Sequence, residues 1–312
     1  MNVPIRDDVL AAKDRIAGAV LRTPLTYHAV AGKRIGIKWE NRQTGGAFKL
    51  RGASNRLLAL SEAERARGVV AFSSGNHARG VAIAARRLGM PATIVMPADA
   101  PSVKLEATRA EGATIVTYDR MRESREEIAA RIAGETGAIL VPSFDDPFII
   151  AGQGTVGLEV IEQAETAVQR ILVCCGGGGL SGGIALACPD AQILVVEPMG
   201  WDDMARSIAA GTPQTVGENA PPTLCDAIQT FRPAEATVSI LRDAGAYGVQ
   251  VSEHAVREAV RWAWHECGEV VEPGGSVAIA ALLSGDVAPQ DGDIAIVSGG
   301  NVDPELHAEL VG

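Results

Sequence analysis

The chain has 312 residues, 47% hydrophobic and 21% charged, with a formal net charge of -10. That length fits about two domains of ~150 residues each, and the acidic balance disfavours nucleic acid and anionic lipid, which repel a net-negative protein. No run approaches the ~20 apolar residues of a membrane helix, and the N-terminal MNVPIRDDVLAAKDR is charged where a signal peptide is apolar, so a soluble, cytoplasmic protein is expected.

Short apolar runs alternate with longer amphipathic ones. RIGIKWE predicts a strand, and GVVAFSS predicts a second that ends in small polar residues. HARGVAIAARRLGM has helical spacing, PATIVMP reads as a buried strand, and SVKLEATRAEG as a helix. ATIVTY follows as a strand, and SREEIAARIAGETG as a helix closed by glycine. QRILVCC and AQILVVE are strands flanking a short helix. SEHAVREAVRWAWHECG is an amphipathic helix, GSVAIAALLSG an apolar one, and DIAIVSGG a last strand. Strands alternating with helices of about 10–15 residues predict parallel sheets covered on both faces. In such folds the site lies in the crevice at the strand C-termini. Five cysteines, Cys174, Cys175, Cys188, Cys225 and Cys267, are an odd number with no C-x-x-C pair, which predicts reduced, buried thiols rather than disulfides or zinc ligands.

Four segments carry unusual chemistry. In ILVCCGGGGLSGGIALA a strand meets Gly176 to Gly179 and a helix follows, so free backbone N–H groups form a cradle suited to phosphate. Gly177, Gly179 and Gly182 also fit the dinucleotide fingerprint, with Glu197 at the end of the next strand, so a nicotinamide dehydrogenase is one reading of this segment alone. A P-loop is excluded because no Gly-Lys-Ser/Thr follows. In FSSGNHARG, the residues Ser73, Ser74, Gly75, Asn76 and His77 stand between a strand and a helix. Capping a helix takes one such residue; four in a row suit a substrate carboxylate. Ser298 ends the last strand, in IVSGGN. Lys49 lies in TGGAFKLRGASNR, read as a glycine-flanked loop; a lysine becomes a covalent catalyst when it is desolvated and meets a carbonyl cofactor.

The order F-K-x-R-G, S-S-G-N-H, A-G-Q-G-T, G-G-G-G-L and S-G-G-N, spread over nearly the whole chain, resembles the fold-type II pyridoxal-phosphate enzymes. Within them it is most similar to the serine/threonine dehydratases and serine racemases, in their short form without a C-terminal regulatory domain. The resemblance implies an α/β chain of two domains, tryptophan synthase β-like, with parallel-rich twisted sheets covered by helices. Residues 1–67 with 145–312 would form the large cofactor-binding domain and 68–144 a small mobile one.

By the same resemblance Lys49 carries pyridoxal phosphate as a Schiff base and then exchanges the proton at Cα. Ser74 faces the substrate from the other side. Phe48 lies against the cofactor ring, Gly176, Gly177, Gly178 and Gly179 with Leu180 hold the phosphate, and Asn76 bonds the ring hydroxyl. Ser298 faces the pyridine nitrogen. A neutral hydroxyl there does not keep that nitrogen protonated, which favours loss of a β-leaving group, or racemisation, over transamination. Ser73, Asn76 and His77 would meet substrate carboxylates, and Arg131 aligns with an arginine that reaches substrate in the racemases. EPMGWDD resembles a divalent-metal loop, with carboxylates from Glu197 and Asp203 and the backbone carbonyl of Trp201, hard oxygen ligands suited to Mg²⁺ or Ca²⁺.

The chain departs from the pattern at Ala47, where a serine is usual, at Ala227, where a glycine is usual, and in EPGGSVA. The expectation is a dehydratase that converts a β-hydroxy amino acid to a 2-oxo acid and ammonia, acting on serine, threonine, 3-hydroxyaspartate or phenylserine. A racemase on the same scaffold and a non-catalytic binder of amino acid or cofactor are the alternatives. A homodimer is expected from the family.

Overall fold

The computed structural model describes residues 3–100 and 102–312. Two sheets organise it. The larger has the strand order β1 (Leu25–Val30), β2 (Lys33–Trp39), β10 (Ile294–Val297), β7 (Arg170–Cys174), β8 (Gln192–Pro198) and β9 (Tyr247–Val251). The smaller has the order β5 (Thr114–Tyr118), β4 (Ala92–Pro97), β3 (Val69–Phe72) and β6 (Ile139–Leu140). Every strand pairing is parallel except the β1–β2 hairpin, as parallel-rich sheets imply. Strands such as Arg170–Cys174 and Ile294–Val297 are almost continuously apolar because helices cover both faces.

The covering helices are α1 (Arg6–Arg15), α2 (Lys49–Leu58), α3 (Glu62–Arg67), α4 (Asn76–Arg87), α5 (Ser102–Ala110), α6 (Arg125–Thr136) and α7 (Pro147–Gln163). The later ones are α8 (Gly179–Ala187), α9 (Asp203–Ala210), α10 (Glu235–Asp243), α11 (Glu253–Cys267), α12 (Pro273–Ser284) and α13 (Pro304–Val311). Local signals set their ends. Ser124 caps α6 by accepting from the Glu127 N–H, and Gly137 closes it in the left-handed region at φ 72°. Asp146 caps α7, with Pro147 at its first position.

Lys49 opens α2 rather than lying in a loop. Its neighbours divide between two cores: Phe48 belongs to the core of the larger sheet, and Leu50, Ala53 and Leu57 to that of the smaller. The lysine therefore sits on the seam. Helix α7, which contains AGQGT, crosses α2 and α8 at backbone distance. A Cβ at Gly152 would lie 2.7 Å from the Cα of Gly52 in α2, and one at Gly154 would lie 2.5 Å from the carbonyl oxygen of Gly183 in α8. Small residues there let α7 fix α2 and α8 against each other.

A buried ionic cluster pins α2 from below. Arg51 bonds both oxygens of Glu40 and both of Glu159, and Lys38 bonds Glu159 at 2.6 Å. Two positive and two negative groups cancel there, which makes deep burial tolerable.

Candidate active site

The segments after β3, β7 and β10 converge, with the start of α2, on one cavity of about 1390 Å³. Phe48, Lys49, Ser73, Ser74, Asn76, His77, Gly176 to Gly179, Leu180 and Ser298 all line it.

Lys49 Nζ donates to the Ser143 carbonyl oxygen at 3.0 Å and stands 5.1 Å from the centre of the Phe48 ring. Removal from bulk water lowers its pKa to about 8, against the opposing pull of Cys174 and Glu272. About a tenth of the amine is thus unprotonated and nucleophilic at pH 7, far more than for an ordinary lysine. The turn before it is tied to the last strand, since the Phe48 N–H donates to the Ser298 carbonyl at 3.0 Å and Ala47 bridges to Gly299. Ser298 is buried, with its hydroxyl beside Cys174.

The glycine cradle has the geometry of an anion site. Gly178 caps α8 with φ 86° and no side-chain cap, so no side chain takes up the first amides of the helix. A Cβ at Gly177 would lie 2.3 Å from the Phe144 ring, and the Gly177 carbonyl is held by Thr237 Oγ1 at 2.8 Å.

In FSSGNH the cap of α4 is Gly75, again without a side-chain bond. Ser74 and Asn76 are therefore not spent on capping, and Ser73 Oγ accepts from the Gly75 N–H at 3.2 Å. His77 is buried, and its Nε2 pairs with the Val141 carbonyl at 2.9 Å, which assigns the proton to Nε2. Burial and the nearby charge of Lys49 push its pKa down to about 3, so the ring stays neutral. Its Nδ1 has no partner and offers only a lone pair. A carboxylate needs a donor, so any contact from His77 to one falls to its backbone N–H.

Arg131 is not brought to the cavity. It lies exposed on α6, paired with Glu135. The arginine of that helix that does line the cavity is Arg125, whose guanidinium lies 5.4 Å from the centre of the Phe72 ring, immediately before Ser73. Glu197, Trp201 and Asp203 also lie outside the cavity. Both oxygens of Glu197 accept backbone N–H groups, from Met204 and Ala205 at 2.9 Å each. Burial and the Asp203 charge hold the Glu197 carboxyl well above the usual range. Burial likewise pushes Asp203 up to about 7, and its Oδ2 has no partner. Among the described residues no cluster of three or more His, Cys, Asp or Glu side chains forms a cation site. All five cysteines are free, four buried and Cys267 half-buried.

The sequence reading assigned no role to three polar residues of the cavity. Glu272 is buried and accepts from Asn76 Nδ2 at 2.6 Å; Asn301 donates to Asn76 Oδ1 at 2.8 Å; Arg79 donates to Asn301. Glu272 stands in EPGGSVA, Asn301 in IVSGGN and Arg79 in FSSGNHARG, so all three lie within segments that the sequence singles out.

The family profile described as pyridoxal-phosphate dependent enzyme matches residues 16–299. The chain belongs to that family. This pyridoxal-phosphate enzyme is 43% identical to the L-threo-3-hydroxyaspartate ammonia-lyase of a Pseudomonas species, over 100% of its own length and 99% of the relative's. It is 36% identical to the serine racemase of Schizosaccharomyces pombe, over 99% and 98% of the two chains. It superposes on maize serine racemase with a TM-score of 0.93 at 37% identity, covering 99% of this chain and 97% of that one. The dehydrogenase reading of the glycine fingerprint falls with this assignment. Glu197, its ribose-binding candidate, is turned to the amides of α9 instead. The cavity fits the family's cofactor, with an amine of lowered pKa for an aldehyde and an uncapped helix start for a phosphate. No helix among the described residues is long and apolar enough to cross a membrane.

Proposed function

We propose that this enzyme is a dehydratase of β-hydroxy amino acids that yields a 2-oxo acid and ammonia, with a 3-hydroxyaspartate as its preferred substrate. The observation that carries the reading is Lys49, an amine with a pKa near 8 on the wall of a cavity shared with a phosphate cradle. The name of the Pseudomonas relative supports the substrate class.

Pyridoxal phosphate, when bound, supplies an electron sink for the pair left at Cα. Lys49 would hold it covalently, Gly176 to Gly179 and Leu180 would take the phosphate, Phe48 would lie against the ring, Asn76 would bond the ring hydroxyl, and Ser298 would meet the ring nitrogen. The Lys49 amine would remove the Cα proton, and Ser74 would exchange a proton from the opposite face. Such general acid–base steps contribute ~10²–10⁴-fold each. Ser73, with backbone N–H groups at the start of α4, orients the α-carboxylate. Arg125, not Arg131, is the cation placed to meet a second carboxylate.

Residues 68–144 act as the mobile unit that closes over substrate and excludes water. Glu197, Asp203 and the Trp201 carbonyl would hold a divalent cation such as Mg²⁺; two buried carboxyls with one unpartnered oxygen are consistent with this. A cytoplasmic homodimer is the proposed form, and Trp264 and Val270, each 41% exposed, are apolar surface for such contacts. Lys49→Ala should abolish 2-oxo acid release; turnover retained in that variant would refute the assignment. Racemisation is the second reading, favoured by the superposition on maize serine racemase. Chiral analysis of recovered substrate separates the two.

A further inference from the structure

Arg79, Asn301, Asn76 and Glu272 form one hydrogen-bonded chain along the cavity wall. Arg79 Nη1 donates to Asn301 Oδ1 at 3.1 Å, Asn301 Nδ2 donates to Asn76 Oδ1 at 2.8 Å and to the Gly45 carbonyl at 2.7 Å, and Asn76 Nδ2 donates to Glu272 Oε1 at 2.6 Å. Chemistry fixes the direction of this chain at both ends. A guanidinium only donates, and an ionised carboxylate only accepts. Asn301 must therefore turn its oxygen to Arg79 and its nitrogen to Asn76. Asn76 must in turn aim its nitrogen at Glu272. One N–H of Asn76 is left uncommitted.

We propose that Arg79, Asn301 and Glu272 are positioning residues that preset the Asn76 amide, so that its one remaining N–H is presented to the ring oxygen of the cofactor. This rests on reading Asn76 as the partner of that oxygen. An asparagine without such neighbours can turn either end to a ligand, and its carbonyl end would repel an oxygen anion. Asn301 and Glu272 are wedged against the turns that carry the other proposed cofactor residues. A Cβ at Gly46, at φ 74°, would lie 2.4 Å from Asn301 Oδ1, and one at Gly299, next to Ser298, would lie 2.1 Å from Glu272 Oε1. The chain thus ties the Asn76 amide to the turns that bear Lys49 and Ser298. Burial pushes the Glu272 carboxyl up to about 7, with Asp226 adding to it and Asn76, Lys104 and Lys49 opposing, so the carboxylate needed at the end of the chain predominates above neutral pH.

The test is cofactor dissociation from the holoenzyme, followed by the absorbance of the bound cofactor, for Glu272→Gln, Asn301→Asp and Asn76→Ala, alone and combined. Glu272→Gln and Asn301→Asp should each weaken cofactor affinity by about tenfold and shift the absorption band. In the Asn76→Ala background Glu272→Gln should add nothing further, because its effect runs through the missing amide. An undiminished effect of Glu272→Gln in that background would overturn the relay while leaving Asn76 as the ring partner. Affinity and spectrum unchanged in Asn76→Ala alone would overturn both.

Discussion

Arg51 offers the sharpest test of how the fold holds the helix that Lys49 opens. It is fully buried, two residues after Lys49. Its guanidinium bonds Glu40 at 2.8 and 2.8 Å and Glu159 at 2.7 and 2.9 Å. Arg51→Met would leave buried Glu40 and partly buried Glu159 facing the single charge of Lys38. Removing one partner of a buried ion network costs about 3–5 kcal/mol. At roughly 2–3 °C per kcal/mol for a chain of this size, the melting temperature should fall by about 6–15 °C. Arg51→Lys should recover only part of the loss, since an ammonium cannot bridge two carboxylates with a planar fork. Calorimetry of the three proteins measures this directly. Melting of Arg51→Met within about 2 °C of the parent would refute the view that this cluster anchors α2.

Three further predictions follow from the cavity and its rim. Arg125→Met should raise the KM for 3-hydroxyaspartate by about tenfold or more and leave that for serine nearly unchanged, whereas Arg131→Met should change neither; steady-state kinetics on both substrates decides it. Lys104 and Asp226, 2.7 Å apart, form the one ion pair among the described residues that joins residues 69–140 to the rest of the chain, and both line the cavity. Lys104→Met and Asp226→Asn should each increase protease cutting in α5, and the exchange Lys104→Asp with Asp226→Lys should reverse it; an exchange no better than the single variants would rule out an electrostatic latch. Glu272 has a folded-state pKa of about 7, raised from 4.5 by burial. A raised carboxyl stabilises the fold below its unfolded pKa, and that contribution is lost as pH rises toward the folded value. The cofactor-free protein should therefore lose up to ~1.4 kcal/mol per pH unit between these two values, and Glu272→Gln should flatten that slope in denaturant titrations.

Much of this was legible in the sequence because it is local. The alternation of strand and helix from Val69 to Thr136 shows in its periodicity, and the cradle shows in four consecutive glycines. The insertion of β10 between β2 and β7 does not show, because it pairs residues from opposite ends of the chain. The glycines that flank Lys49 predict a loop where α2 forms, and the run KLRGASNRLL has scattered polar residues. Its polar residues are satisfied by partners far away in sequence, such as Arg51 by Glu159 and Asn55 by the Phe148 carbonyl. The resemblance points to Arg131, whereas on the same helix it is Arg125 that lines the cavity. Six positions at 3.6 residues per turn place the two side chains about 120° apart, so only one can face the cavity. Glu272 does not stand out in the sequence, because an acidic residue before a proline also suits the helix start at which it lies.

The most direct test of the central claim is 2-oxo acid release by the cofactor-loaded protein, with Mg²⁺ present. The substrates would be both enantiomers of serine and threonine, the 3-hydroxyaspartates and phenylserine. Release from a 3-hydroxyaspartate, in step with ammonia and absent in Lys49→Ala, is the expected result. No 2-oxo acid from any of these amino acids, with inversion of their Cα configuration instead, would contradict a dehydratase and identify a racemase.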